Sequence, residues 1–354
     1  MESNIQVRFK YDLDEDEIND IKRFCDSADY CAAEQLLGWT EMFYKTRIRY
    51  FYLKDESGIK SFCQINESFR SANIHFGPVC DDRELMVESL EQIIRFYKNL
   101  GYFYLGVQMY YKSGFDTDYI EYALNKHHKI KYLFNSENTK SSFEINLADP
   151  EEKIWERLRD GHKKSIKKAN KLGIRIETLQ RTEDLMPFLN IYLKMCLARH
   201  INDSELSERN IHEIYNFLEK NNKGNFLLIK DESGAVLGGA IMVFQGLSVR
   251  YLKGASDPDR KNIPLLHSLL YNAILMAKNK NFKYFDFWGY NHFVDESDQL
   301  YNINYFKKGF GGYYTFFAKK MNIELVLYGF LIFKMILLLK KLAYKTHLDK
   351  ILKR

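Results

Sequence analysis

Cysteine is sparse in this chain and follows no ligand pattern. Cys25, Cys31, Cys63, Cys80 and Cys196 lack metal-site spacing, and five is an odd number for a disulfide framework. Reduced thiols in a cytoplasm suit them best. The opening stretch "MESNIQVRFKYDLDEDE" is polar and acidic and lacks the apolar core of a signal peptide. The expected setting is therefore cytoplasmic. An excess of one charge is also missing: the net charge of +5 over 354 residues gives no bulk argument for nucleic acid, so only clustering of charge could. No Gly-x-Ser-x-Gly elbow and no metal motif is present, so the sequence offers neither that nucleophile nor that cofactor. Long apolar runs are absent too. The longest, Leu325 to Leu339, falls short of the roughly 20 residues that span a bilayer.

What is present describes a globular protein: 46% hydrophobic and 28% charged residues, with aromatics at 15%, almost all of them Tyr and Phe. Such side chains build cores and also line sites for sugars or extended ligands. The length exceeds what one core usually supports, so two domains are expected.

An internal repeat sets their boundaries. "YFYLKDESGIKSFCQI" (50–65) and "NFLLIKDESGAVLGGAIM" (225–242) each place Lys-Asp-Glu-Ser-Gly between two apolar strands. Downstream, 83–108 and 264–289 each read as a helical apolar pattern, a short Gly or Asn break and an aromatic strand. The offset from Lys54 to Lys230 is 176 residues and that from Gly101 to Asn281 is 180. Two copies of one α/β unit follow, over 1–145 and 146–320, with a helical tail at 321–354. Hairpin, strand, helix, strand is the order of an acyltransferase-type mixed sheet.

Between the copies, 149–173 reads as one helix, with Asp149 as N-cap and Gly173 beyond its end. Lys164, Lys167, Lys168 and Lys171 fall on one stripe, while Ile166, Ala169 and Leu172 face the other way, toward a core. The stripe is either a solvated face or a site for the phosphates of a nucleotide, tRNA or lipid carrier. In "NFKYFDFWGY", alternation puts Tyr284, Asp286 and Trp288 on one face. Asp286 is either paired structurally or poised as a base.

Several segments together resemble the FemAB family of peptidoglycan interpeptide-bridge aminoacyltransferases: "QLLGWTEM", "HFGPVCD", "WERLRDGHKKSIKKANKLGIRIE", "CLARHIN", "FDFWG" and "NYFKKGFGG". The resemblance runs in order from about residue 30 to 320 and implies two tandem GNAT-like acyltransferase domains of mixed α/β class. It implies transfer of an aminoacyl group from aminoacyl-tRNA to an amine of a cell-wall precursor, with no bound cofactor. It also places Phe306 and Lys307 at the active site, the lysine stabilising charge on the reacting ester or its leaving group. Lys308 would then point the other way if 304–312 were a strand. Arg199 and Asn262 complete the expected substrate-binding set with Phe306, Trp288, Tyr284 and the lysine stripe. Phe43 departs from the family, standing where members that bind a nucleotide-linked muramyl pentapeptide carry a lysine.

The donor can be weighed from "PDRKNIPLLHSLL" (258–270), the place of a pyrophosphate cradle in CoA-binding acetyltransferases. It has no glycine, and Pro264 removes one amide donor. Aminoacyl-tRNA thus ranks ahead of acyl-CoA. Two alternatives remain open: acyl-CoA-dependent N-acylation of an amino sugar, and a non-catalytic scaffold at the membrane. The apolar run with Lys334, followed by Lys340, Lys341, Lys345, Lys350, Lys353 and Arg354, suits either a helix in a membrane interface or one packed on the protein.

Overall fold

The computed structural model describes residues 5–43, 46–110, 117–133, 141–201, 206–260, 262–290, 294, 296–298, 300–329, 331–332, 334–335 and 338–339. Its strands in chain order are β1 (Gln6–Lys10), β2 (Arg47–Asp55), β3 (Gly58–Ser68), β4 (Ser71–His75), β5 (Tyr104–Gln108), β6 (Lys129–Leu133) and β7 (Ser141–Asn146). There follow β8 (Arg175–Thr178), β9 (Gly224–Lys230), β10 (Val236–Gln245), β11 (Ser248–Ser256), β12 (Tyr284–Asp286), β13 (Tyr313–Phe316) and β14 (Lys320–Glu324). They form two seven-stranded sheets, ordered β1-β2-β3-β4-β5-β14-β6 and β13-β7-β12-β11-β10-β9-β8.

The duplicated hairpins are built by the same local chemistry. In the first, the Asp55 carboxylate accepts from the Ser57 N–H at 2.8 Å; in the second, Asp231 accepts from the Ser233 N–H at 3.0 Å. An aspartate that binds the backbone two residues on is a turn in itself. Helix Arg83–Asn99 and helix Leu265–Asn279 each lead into the parallel strand of their copy, and residues 101 and 281 at the breaks both take positive φ. In both sheets one parallel pair, β4 with β5 and β11 with β12, stands among antiparallel neighbours. The registers make the copies equivalent residue by residue. Asn73 lies opposite Gly106 and Arg250 opposite Asp286, so Gly106 and Asp286 share one position.

The division of the chain differs from the expected one. Residues 1–37, 46–138 and 318–354 form one unit, and 38–45 with 139–317 form the other. The boundary expected at 145/146 falls inside β7, because hydrogen bonding joins β7 to β12 and β13 in the second sheet. β14, expected at the junction of second domain and tail, pairs with β5 and β6 of the first sheet. The first unit thus receives one strand, β14, from beyond the run that supplies its others, while β7 belongs to the second. Each also has its own core, one around Phe51, Leu90, Tyr97 and Leu105, the other around Phe143, Leu269, Ile274, Phe285 and Phe310.

Two further expectations are corrected. The helix expected over 149–173 is two helices, Glu151–Arg157 and Asp160–Asn170, bent at Leu158–Arg159. Leu158 turns inward to the core, and the Arg159 N–H donates to the Gly309 carbonyl at 2.9 Å, leaving no helical path between them. Pro150 takes the N-cap position, while the Asp149 carboxylate accepts from Arg157 at 2.5 Å. Leu172, past the helix end, is exposed.

The turn after helix Tyr301–Lys308, in the "NYFKKGFGG" motif, places a strict demand on Gly311. Its φ is +76°, and a Cβ there would overlap the Arg157 carbonyl oxygen. Gly234, at φ +86°, has nothing within 4 Å. Gly234→Ala should therefore lose only the left-handed penalty, about 1–2 kcal/mol. Gly311→Ala adds an overlap with backbone and should lose roughly 3–5 kcal/mol in equilibrium urea unfolding. Equal losses would contradict this packing.

Candidate active site

The polar face of the second sheet carries a row of buried charges. Arg250 on β11, Asp286 on β12 and Glu144 on β7 are opposite one another in register, and all three are fully buried. Strand alternation explains the sorting: Val249, Phe285 and Ile145 point into the core, so their neighbours point the other way. Tyr313 on β13 continues the row beside Glu144. The first unit has Asn73, Gly106 and Asn322 at the equivalent places, so the fold itself does not require the charges.

Lys307 reaches this face from a helix. Residues Tyr301–Lys308 are helical, where a strand was the basis for separating Lys307 from Lys308. The separation survives for a different reason: successive helical residues are about 100° apart, which leaves Lys307 buried and Lys308 exposed. The Lys307 ammonium donates to the Trp288 carbonyl at 2.5 Å and to the Gly289 carbonyl at 3.2 Å. Burial pushes its pKa down to about 8, and the nearby Asp286 carboxylate opposes that shift. At neutral pH Lys307 therefore stays charged.

Asp286 builds the loop that holds the lysine. Its Oδ1 accepts from the Ser142 hydroxyl and from the Trp288 N–H, the latter at 2.8 Å. The strand ends there, so Trp288 does not continue the expected alternation. Trp288 has φ +45° and Gly289 φ +51°. A tryptophan in the left-handed region is a strained conformer that its surroundings must impose. The Asp286 hydrogen bond imposes part of it, and the Arg250 guanidinium, 3.5 Å from the Trp288 ring centroid, imposes more. Tyr284 is on the same sheet face as Asp286, half-buried.

The lysine helix is seated by the basic helix. His162 donates through Nε2 to the Phe306 carbonyl at 2.9 Å, and Arg159 lies over the Tyr305 ring at 3.7 Å. The Phe306 ring packs against His162 and against His267, with centroids 5.6 and 4.9 Å apart. Burial lowers the pKa of both histidines, that of His267 to about 4, so both are neutral at pH 7. Two motifs 144 residues apart at His162 and Phe306 thus meet at this hydrogen bond and at that of the Arg159 N–H to the Gly309 carbonyl.

The remaining expected residues lie apart from this row. Lys164, Lys167, Lys168 and Lys171 are all exposed, and Lys168 Nζ donates to the Asn262 carbonyl at 2.8 Å. Arg199 is exposed after helix Leu185–Ala198, where its charge favours ionisation of Tyr251 against the burial of that phenol. Lys261, the lysine of the 258–270 stretch, lies outside the described residues. Among the described residues no group of acidic, histidine or cysteine side chains is arranged to hold a metal ion. Glu144 and Arg250 escaped the sequence reading, although "SSFEIN" and "SVRYL" show the same alternation that singled out Asp286. His162 and His267 left no such signal, because their contact depends on tertiary structure.

This is a tandem GNAT fold. A crystal structure of FemX superposes with a TM-score of 0.78 over 93% of this chain and 99% of that one, at 15% identity. A tandem GNAT protein from the clavulanic acid biosynthesis pathway superposes with a TM-score of 0.52, over 92% and 99%, at 8% identity. Within that class the similarity is to the FemAB family: a lipid II:glycine glycyltransferase of Staphylococcus haemolyticus is 30% identical over 101 residues, 28% of this chain. The match spans about a quarter of that relative's length, 24%. No family model matches the chain.

The depressed pKa of Lys307 fixes the sign of a pH effect. Between about 8 and its ordinary 10.5, the unfolded chain binds more protons at this residue than the folded one. Its burial therefore opposes folding most below pH 8, and the opposition fades as pH rises. The stability of wild type relative to Lys307→Met should rise between those values, by up to roughly 3 kcal/mol. A flat difference in chemical unfolding across that window would contradict the burial of a charged lysine.

Proposed function

We propose that the chain is an N-acyltransferase of FemAB type, moving an aminoacyl group from aminoacyl-tRNA to an amine of a nucleotide- or lipid-linked cell-envelope precursor. The observation that carries this reading is a buried, charged Lys307 fixed by two carbonyls, in a charge row found in one copy of a duplicated fold. An amine attacking an ester needs no protein nucleophile. It needs an oriented carbonyl and a partner for the negative charge that develops. In the proposed reaction the C–N bond forms, the bond to the ribose oxygen breaks, and the amine proton passes to that leaving oxygen. Lys307 balances the charge on the oxyanion or on the departing oxygen. Asp286 is the residue that shapes the Trp288–Gly289 loop, and its contact with Ser142 and Trp288 favours that positioning role over a base role.

The donor preference has local support. At the start of helix Leu265–Asn279, Pro264 has no N–H and the Leu265 N–H already donates to the Ile263 carbonyl at 2.8 Å. A pyrophosphate would find few free amides there. The exposed stripe of Lys164, Lys167, Lys168 and Lys171 suits the phosphates of a tRNA instead. With charged tRNA as donor, the reaction is cytoplasmic, beside the membrane if the acceptor is lipid-linked.

Incubation with charged tRNA pools, and separately with acyl-CoAs, against extracted nucleotide- and lipid-linked precursors tests the reading. Product should form only with charged tRNA. Lys307→Met should lower kcat by roughly 10²–10³-fold, while Lys308→Met, exposed, should change it little. Turnover with acyl-CoA alone would reverse the donor, and no turnover with any donor would favour a scaffold. Equal rates in the two variants would remove Lys307 from the chemistry.

A further inference from the structure

The chain leaves the core of the first unit at Leu325, which is buried and whose N–H donates to the Phe103 carbonyl at 3.1 Å. Beyond it, described positions 329, 331–332, 334–335 and 338–339 are helical. Their large apolar side chains are turned to water: Leu331 is 54% exposed, Met335 56%, Leu338 60% and Leu339 62%. At 100° per residue these four and Ile332 fall within an arc of about 120°. Residues spread singly over a surface need no explanation, but exposed apolar side chains gathered on one arc do.

Charge identifies the occupant. Lys334 is exposed at the edge of that arc, and the sequence that follows carries Lys340, Lys341, Lys345, Lys350, Lys353 and Arg354 against a single acid, Asp349. A second copy of the chain would bring these cations against their own kind. A bilayer with anionic headgroups meets both features, taking the apolar face into its boundary and the lysines at its surface. Among the described residues no helix is long and apolar enough to cross a membrane.

We propose that the exposed apolar arc of Leu331, Ile332, Met335, Leu338 and Leu339 docks on an anionic lipid surface. The docking does not depend on the acyl-transfer reading and is measured without turnover. The experiment is co-sedimentation of the full chain with vesicles of phosphatidylcholine alone or mixed with phosphatidylglycerol. Binding should require the mixed vesicles and weaken at high salt. Replacing Leu331, Met335 and Leu338 together with Gln should lower partitioning by roughly a hundredfold or more, with melting unchanged because the side chains are exposed. Undiminished binding of the triple variant, equal binding to uncharged vesicles, or no binding at all would overturn the proposal. So would a concentration-dependent dimer, without lipid binding, that the same substitutions dissociate.

Discussion

The second unit is organised around an ammonium group taken out of water. Removing a charge from solvent costs several kcal/mol unless partners replace the lost hydration. Lys307 finds two backbone carbonyls and, further off, the Asp286 carboxylate. The carbonyls face it because Trp288 and Gly289 both adopt left-handed conformations. That conformation is in turn held by the Asp286 hydrogen bond to the Trp288 N–H and by Arg250 against the indole. Each part of the loop is thus explained by its service to the lysine. A cation fixed in this way needs no reorganisation when negative charge develops beside it, which is the physical basis of electrostatic stabilisation of a transition state.

Duplication supplies the control that a single domain lacks. The two sheets share strand order and register, so positions that differ between them report what the fold leaves free. Where one sheet carries Arg250, Asp286 and Glu144, the other carries Asn73, Gly106 and Asn322. Buried charges are hard to keep without a use, and neutral residues suffice for the same architecture. That contrast supports the proposal that the second copy is the one specialised for chemistry. The first copy keeps the scaffold, with Glu67 tied to Arg49 and Tyr97 in a paired network of its own.

Most of the architecture was legible because it is written in local signals. The Asp-Glu-Ser-Gly turns, the helical apolar periods and the break residues 101 and 281 each act within a few residues, and all recur in both copies. Asp286 stood out by period-2 alternation, and the same pattern held for Arg250 and Glu144. Contacts between distant segments were not legible. Nothing local in "GHKKS" indicates that His162 would donate to Phe306, or that the helix would bend at Leu158 to let Arg159 reach Gly309. Strand partnership was equally hidden: β7 and β14 carry ordinary alternation, and only the sheet decides which unit each joins. For the short motif "NYFKKGFGG" a strand stayed open as an alternative because its apolar spacing fits either period over so few residues.

The claim on which the rest depends is that Lys307 is a buried cation coupled to Asp286. Heteronuclear NMR titration of the lysine side chains tests it directly, with the Lys307 resonance assigned by its loss in Lys307→Met. The resonance should titrate near 8, apart from the exposed lysines, and lower still in Asp286→Asn, where the opposing carboxylate is gone. Titration near the ordinary 10.5, or a midpoint indifferent to Asp286→Asn, would contradict the account.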